Sequence, residues 1–237
     1  MRRYGLIGEK LGHSLSQELF EAQGFKDARY GLYEMESLDG LRQWVEQEHI
    51  NGFNVTIPYK QEIIPLLDAV DDTAAEIGAV NCVSVENGRL VGHNTDAPAF
   101  MATFVEPFHG TALLLGTGGA ARAVAYALRQ LSVDYVFVSR HPEAATMKPV
   151  IGYDEITPDY SMIINATPVG MYPDTESTPI NLSPLTSHLS PCLVYDLIYN
   201  PSPTLLMRQA GLLGARVKNG LEMLKRQAEL SWQIWGL

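Results

Sequence analysis

Cysteine is nearly absent from this chain. Two residues in 237, Cys82 and Cys192, form no metal-binding pattern and no disulfide framework. The six histidines include no HExxH motif and no paired spacing, so no metal is expected. Positive charge is also scarce. Lys and Arg number 17 against 27 Asp and Glu, the net charge is −10, and there is no basic run. That balance argues against nucleic acid or an anionic membrane as partner. Any phosphate site must rest on a few placed cations and on backbone N–H groups. No apolar stretch is long enough to span a bilayer. At the start, MRRYGLIGEKLG, Glu9 and Lys10 interrupt the apolar run too early for a signal peptide, so a soluble cytoplasmic protein is expected. Internal repeats and low-complexity tracts are missing too. What remains is an ordinary globular composition, 46% apolar and 19% charged, in a length that suits one large domain or two small ones.

The most informative stretch is TALLLGTGGAARAVAYALRQL, residues 111–131. A short apolar run leads into a Gly-rich turn, and a helical pattern follows with Ala120, Val124, Ala127, Leu128 and Leu131 on one face. Gly116, Gly118 and Ala121 fill the positions of G-x-G-x-x-G/A. The first permits a sharp turn, the second lets a pyrophosphate approach the backbone, and the third lets helix and strand pack closely. The helix start offers unpaired N–H groups and a partial positive charge, both suited to phosphate. The next expected strand, 135–138, ends at Ser139-Arg140, where an NAD site usually carries an acid for the ribose hydroxyls. Arg140 is suited instead to a 2′-phosphate, so NADP is favoured over NAD.

Before this unit, residues 4–8 read as a strand, and Ser14 as a helix cap or, with Ser16, as the holder of a small anion. A second strand is expected at 29–35 and a helix at 38–47. In GFNVTIPYK, Phe53, Val55 and Ile57 alternate with Asn54 and Thr56, so apolar and polar side chains take opposite faces. Pro58 stops that strand and can start a helix over 59–67, placing Lys60 in its first turn, where the helix dipole opposes a cation. Lys60 is then either an ordinary exposed lysine or an acid/base candidate beside Asn54 and Thr56. A short helix at 71–77 should end on Gly78, and strands 80–85 and 89–92 should pair across Asn87-Gly88. Asn81 leads into that alternation, and Thr95 or Asp96 can cap a helix over 98–105. Later strands are expected at 162–165, 193–197 and 215–218, with helices at 203–213 and 220–235. The passage 167–191 reads as loop. Residues 141–161 leave little room for a crossover helix, so the edge of this sheet should be trimmed.

Taken together, the motifs GHSLS (12–16), NVTIPYK (54–60), GAVNC (78–82), GHNTD (92–96), GTGGAARA (116–123), NATPVGM (165–171), DLIYNP (196–201) and NGLEMLKRQA (219–228) resemble the shikimate dehydrogenase family in order and along the whole chain. The resemblance implies an α/β protein of two domains separated by a cleft. A substrate-binding domain would span 1–98 plus 220–237, and a shortened Rossmann NADP-binding domain 99–219. It implies reversible, NADP-dependent reduction of 3-dehydroshikimate to shikimate, in aromatic amino-acid biosynthesis. By the same resemblance Lys60 and Asp96 are the catalytic pair. Ser14 and Ser16 hold the substrate carboxylate, with Tyr199 nearby, and Asn54, Thr56, Asn81 and Gln227 bind ring hydroxyls alongside Asp96. Gly116, Gly118, Gly119, Ala120, Ser139, Arg140, Thr167, Gly220 and Met223 contact the cofactor. A monomer or homodimer is expected.

The chain departs from the family pattern at three places. Gln17 follows Ser16 where Pro is usual, the Gly shortly after Asp96 is missing, and His141-Pro142-Glu143-Ala144 follows Arg140 where Thr and a second basic residue are common. The last change weakens the expected phosphate clamp. A quinate/shikimate dehydrogenase using NAD therefore stays open, as do a ligand-binding protein without turnover and another two-domain Rossmann enzyme such as a folate dehydrogenase.

Overall fold

The computed structural model describes residues 1–12, 14–104, 108–185, 189–190 and 192–237. His13 of the GHSLS motif, Val105 at the expected end of helix 98–105, and parts of the 167–191 passage lie outside the described residues. The chain divides into two compact units, Met1–Ala99 with Leu224–Leu237, and Phe100–Met223.

The first unit contains β1 (Arg2–Gly8), α1 (Ser16–Glu21), β2 (Ala28–Glu34), α2 (Leu41–Gln47), β3 (Ile50–Val55), β4 (Ala69–Val70), α3 (Asp72–Ile77), β5 (Cys82–Glu86) and β6 (Arg89–His93). Helix α4 (Asp96–Met101) begins in this unit and ends in the second. The strands form a mixed sheet in the order β2-β1-β3-β5-β6-β4. β1 runs parallel to β2 and β3, whereas β5 is antiparallel to β3 and to β6. The β5–β6 hairpin turns at Asn87 and Gly88, whose φ values of 53° and 80° give the doubly left-handed turn that Asn-Gly favours. The period of two along β3 decides what each face holds. Phe53 and Val55 join Ile7, Leu41, Val45 and Ile63 in one core. The opposite face packs Tyr4, Leu6, Tyr30 and Cys82 against Phe20 and against Ala228, Trp232 and Trp235 of the final helix.

The second unit contains β7 (Thr111–Leu115), α5 (Gly119–Gln130), β8 (Asp134–Val138), β9 (Val150–Ile151), β10 (Met162–Asn165), β11 (Leu193–Asp196), α6 (Leu205–Leu212) and β12 (Arg216–Lys218). Helix α7 (Leu221–Ile234) begins here and supplies the C-terminal part of the first unit. All these strands are parallel, in the order β12-β11-β10-β7-β8-β9. This is the doubly wound α/β arrangement, with its reversal between β7 and β10. Residues 112–115 are fully buried, as a central parallel strand requires. The expected α/β fold class is borne out.

Three local expectations fail for identifiable reasons. No α-helix forms over 59–67, and the segment runs as turns ending in a 3₁₀ turn at Ile64–Leu66. The Lys60 carbonyl accepts from the Val80 N–H (2.7 Å), and the Ile64 N–H bonds Gln61 instead, so an α-turn cannot propagate. Lys60 is therefore not opposed by a helix dipole. Ser14 does not cap α1, which starts from Leu15 with no side-chain cap, and its hydroxyl accepts the Ser16 N–H at 3.2 Å. Neither Thr95 nor Asp96 caps α4, because the Asn94 side chain accepts the Ala97 N–H at 3.1 Å. Thr95 and Asp96 are thereby released for other partners.

The trimmed edge is present. Between β8 and β10 the chain makes only β9 and two 3₁₀ turns, Pro142–Ala144 and Tyr153–Glu155. Ile180, Leu182, Leu185 and Leu189 from the loop before β11 pack with Leu113, Leu115, Val138 and Ile163, joined by Tyr153 and Ile156. A loop thus supplies apolar cover on a sheet face that lacks a full crossover helix.

At the reversal, Gly116 has φ +101°, and a Cβ there would lie 3.0 Å from Thr167 Cγ2 and 3.3 Å from the Ala166 carbonyl. Gly118 has ordinary backbone angles and nothing within 4 Å of a built Cβ. Gly116→Ala is predicted to cost about 1–3 kcal/mol of stability. Gly118→Ala should stay within about 0.5 kcal/mol. Urea unfolding midpoints check this, and equal losses would contradict it.

Candidate active site

β3 places Asn54 on the face away from its apolar neighbours, against α7, where it is 6% exposed. A buried amide must satisfy its hydrogens, and this one does. Nδ2 donates to the Asn81 carbonyl (3.1 Å) and to Ser231 Oγ (2.8 Å), while Oδ1 accepts from the Tyr30 hydroxyl (2.9 Å). Asn81, just before β5, is fixed from the other side. Its Oδ1 accepts the Thr95 N–H (2.6 Å), and its Nδ2 donates to Thr95 Oγ1 (2.9 Å) and, at 3.4 Å, toward Gln227 Oε1. Gln227, on α7, donates one Nε2 hydrogen to the Leu224 carbonyl (3.0 Å). Its second Nε2 hydrogen has no partner among the described residues.

Beside these amides Lys60 Nζ meets Asp96 Oδ2 at 2.6 Å, with the two side chains 14% and 7% exposed. The ammonium supplies donors and no acceptor, and the carboxylate only acceptors. Side by side, the two can serve an oxygen that gains or loses a proton. Cys82, adjacent to Asn81, takes no part, since burial pushes its thiol up to about 12. Ser84, His93 and Asp71 share the connectivity of a nucleophile–base–acid relay, with His93 Nε2 3.1 Å from Ser84 Oγ and Nδ1 2.8 Å from Asp71 Oδ2. Ser84 is only 4% exposed and also donates to Glu86, so the group braces the hairpin rather than offering a nucleophile.

Thr56 follows β3 and is half-buried, and Ser14 and Ser16 lie at the start of α1, half-buried and buried respectively. Thus Ser14, Ser16, Asn54, Thr56, Lys60, Asn81, Asp96 and Gln227 all fall in the first unit. Tyr199, half-buried in the segment after β11, falls in the second.

The remaining candidates also fall in the second unit. α5 begins at Gly119, followed by Ala120, with no side-chain cap and no acidic residue in its first turn, so its N–H groups and dipole are open to an anion. The open space over Gly118 lets a phosphate reach that backbone. After β8, Ser139 Oγ accepts the His141 N–H (3.0 Å), and Arg140 is exposed, with no ion-pair partner among the described residues. After β10, Asn165 Oδ1 accepts from both the N–H (3.0 Å) and the hydroxyl (2.7 Å) of Thr167, while Asn165 Nδ2 donates to buried Asp196 (3.0 Å). Gly220 donates its N–H to the Ile198 carbonyl, and a Cβ there would overlap the Leu197 carbonyl, so only glycine fits. Met223 is 7% exposed near the start of α7. With an exposed arginine after β8, no acid at that strand end and an open helix start, this donor set fits a dinucleotide carrying an extra phosphate.

Three members of the first unit's network escape sequence reasoning. Tyr30 and Ser231 read there only as parts of a strand and a helix, and Thr95 only as a possible cap. Ser231 does carry a signal, because it lies four residues beyond Gln227 and so on the same face of α7.

Known proteins resemble the chain over its whole length. Residues 6–83 match the family model described as the shikimate dehydrogenase substrate binding domain. A shikimate dehydrogenase (NADP(+)) of Shouchella clausii is 37% identical over 258 residues, covering 99% of this chain and 92% of that protein. Shikimate 5-dehydrogenase from Thermus thermophilus, in complex with NADP(H) and shikimate, superposes with a TM-score of 0.87 at 33% identity, covering 100% of this chain and 94% of that one. Quinate dehydrogenase from Corynebacterium glutamicum, in complex with NAD, superposes with a TM-score of 0.81 at 30% identity over 100% and 94% of the two chains. Among the described residues no helix is long and apolar enough to cross a membrane.

Proposed function

The chain belongs to the shikimate dehydrogenase family, and on that premise we propose that it interconverts 3-dehydroshikimate and shikimate with NADP(H), as a cytoplasmic monomer or homodimer of the shikimate pathway. The observation that carries the reading is the Lys60–Asp96 pair, 2.6 Å apart and nearly buried beside fixed amides. In this reading residues 1–98 with 220–237 bind substrate, and 99–219 bind the cofactor.

Oxidation of a secondary alcohol removes a hydride from carbon and a proton from oxygen. The nicotinamide supplies the hydride chemistry when bound. This chain's own task is to hold the carbinol and to manage its proton. Lys60 donates to the C3 oxygen and Asp96 accepts from it. Ser14 and Ser16 bind the carboxylate, helped by Tyr199. Thr56, Asn81 and Gln227 bind ring hydroxyls. Asn54 has spent both amide hydrogens on Asn81 and Ser231, so toward substrate it offers only a lone pair. For the cofactor, Gly116, Gly118, Gly119 and Ala120 receive the pyrophosphate, Ser139 and Arg140 the 2′-phosphate. Thr167, Gly220 and Met223 line the nicotinamide half.

A quinate-oxidising, NAD-using enzyme is the second reading. It is favoured by the missing basic residue at 141–144. Steady-state assays of shikimate and quinate, each with NADP⁺ and NAD⁺, separate the two. Shikimate with NADP⁺ should give the highest kcat/KM, and no reduction with any combination would overturn both. Lys60→Met should lower kcat by about 100-fold or more while shikimate still binds. A near-wild-type kcat would remove Lys60 from its role. Arg140→Ala should raise KM for NADP⁺ about tenfold more than KM for NAD⁺, as expected for a lost charge-assisted contact. Equal changes would mean that Arg140 does not read the 2′-phosphate.

A further inference from the structure

We propose that Ser231 is a positioning residue of the substrate site, setting the orientation of the amides that bind the ring hydroxyls without touching substrate itself. The proposal rests on the functional reading above. Ser231 is fully buried on the inner face of α7. A serine hydroxyl has one hydrogen and two lone pairs, and three oxygen and nitrogen partners take them here, with the Cys82 thiol also in hydrogen-bonding reach. Its hydrogen goes to the Gln227 carbonyl one turn earlier, at 2.9 Å. One lone pair receives Asn54 Nδ2 at 2.8 Å. The other faces Thr95 Oγ1 at 3.3 Å. Because the Ser231 proton is already placed, Thr95 must be the donor in that last contact. Thr95 Oγ1 in turn accepts from Asn81 Nδ2.

One directed chain therefore runs from Asn81 through Thr95 and Ser231 to the Gln227 carbonyl, and Asn54 joins it at Ser231. Direction matters for an amide, because a 180° flip exchanges donor and acceptor with little change in shape. Asn81 holds its present orientation because Thr95 takes its hydrogen and offers it an N–H. Thr95 keeps its own proton pointed away because Ser231 accepts it. Asn54 is held the same way, with its nitrogen toward Ser231 and its oxygen toward Tyr30. Without the Ser231 hydroxyl, one Asn54 hydrogen loses its partner and the Thr95 hydroxyl is free to turn. The ring-binding amides then share several arrangements, only one of which matches the ligand.

Ser231→Ala tests this cleanly, because alanine is the better helix former and leaves α7 intact. Shikimate affinity, read by calorimetry and as KM, should fall about tenfold, with kcat and NADP⁺ affinity held within about twofold. A chain acting as one unit is also non-additive. Thr95→Val alone should weaken shikimate binding, and the Ser231→Ala/Thr95→Val pair should lose little more than the worse single change. Unchanged shikimate affinity in Ser231→Ala, equal loss of shikimate and NADP⁺ binding, or fully additive losses would each overturn the assignment. A wild-type enzyme that binds no shikimate would overturn the functional reading, and this inference with it, and is a separate result from unchanged affinity in the variant.

Discussion

A lysine and an aspartate held 2.6 Å apart, 14% and 7% exposed, set the terms for everything around them. Desolvating either charge alone costs several kcal/mol, on the order of what a whole domain can spare. The pair is tolerable because each charge offsets the other. The sequence arranges this by keeping local structure from competing. Asn94 caps α4, so Asp96 need not, and the turn after Pro58 leaves the Lys60 carbonyl to Val80 rather than to a helix. Behind the pair, Asn54, Asn81, Thr95, Ser231 and Gln227 use one another as partners. In a low-dielectric interior such a network is rigid when complete and costly when broken.

Much of this was legible in the residues. Alternation in GFNVTIP correctly turned Asn54 away from Phe53 and Val55, because strand geometry leaves no other choice once one face is apolar. Asn87-Gly88 fixed a hairpin, and the Gly-rich turn fixed the start of a parallel sheet, because both depend on residues that are neighbours in sequence. The failures have the opposite character. A helix over 59–67 had Pro58 to start it but Pro65 inside it, and it lost to Val80, twenty residues beyond Lys60, which claims the Lys60 carbonyl. Ser231 is one more helix residue in the sequence, and only the fold brings Asn54 of β3 and Thr95, just before α4, onto its hydroxyl. Spacing shows which face a residue takes, but not which partner waits there.

The second unit shows the same division. Its strands and switch point follow from the apolar runs and turns, yet its loops are fixed by a buried carboxylate to which the sequence reading assigned no role, although it opens DLIYNP. Asp196 is fully buried, and that burial raises its carboxyl above the usual range against the pull of bonds from Thr204, Ile198 and Asn165. Through Asn165 it holds Thr167, and through Thr204 it holds the start of α6, whose Met207 N–H that hydroxyl caps. One side chain at the end of β11 thus ties two loop segments at the carboxyl edge of the sheet, the edge where doubly wound folds bind ligands. The shortened crossover beyond Arg140 leaves this edge intact, since the missing helix is replaced by loop side chains on the sheet face, well within the core.

The donor and acceptor pattern of the Lys60–Asp96 pair also explains why one site can serve both directions of the proposed reaction. A carbinol oxygen donates one hydrogen bond and accepts others, so it can bridge the pair, donating to Asp96 and accepting from Lys60. A ketone oxygen only accepts. It can keep the Lys60 hydrogen bond but has nothing to offer Asp96, which then keeps its own contact with Lys60. As the hydride leaves, the alcohol proton passes to Asp96 and from there to solvent, and reduction runs the same transfer backward, so each turnover restores the pair's opposite charges. Two lysines would leave the alcohol proton without an acceptor, and two carboxylates would leave the ketone without a donor. Opposite charges in contact are the arrangement that fits both oxidation states, provided the amides behind them keep the ring from turning.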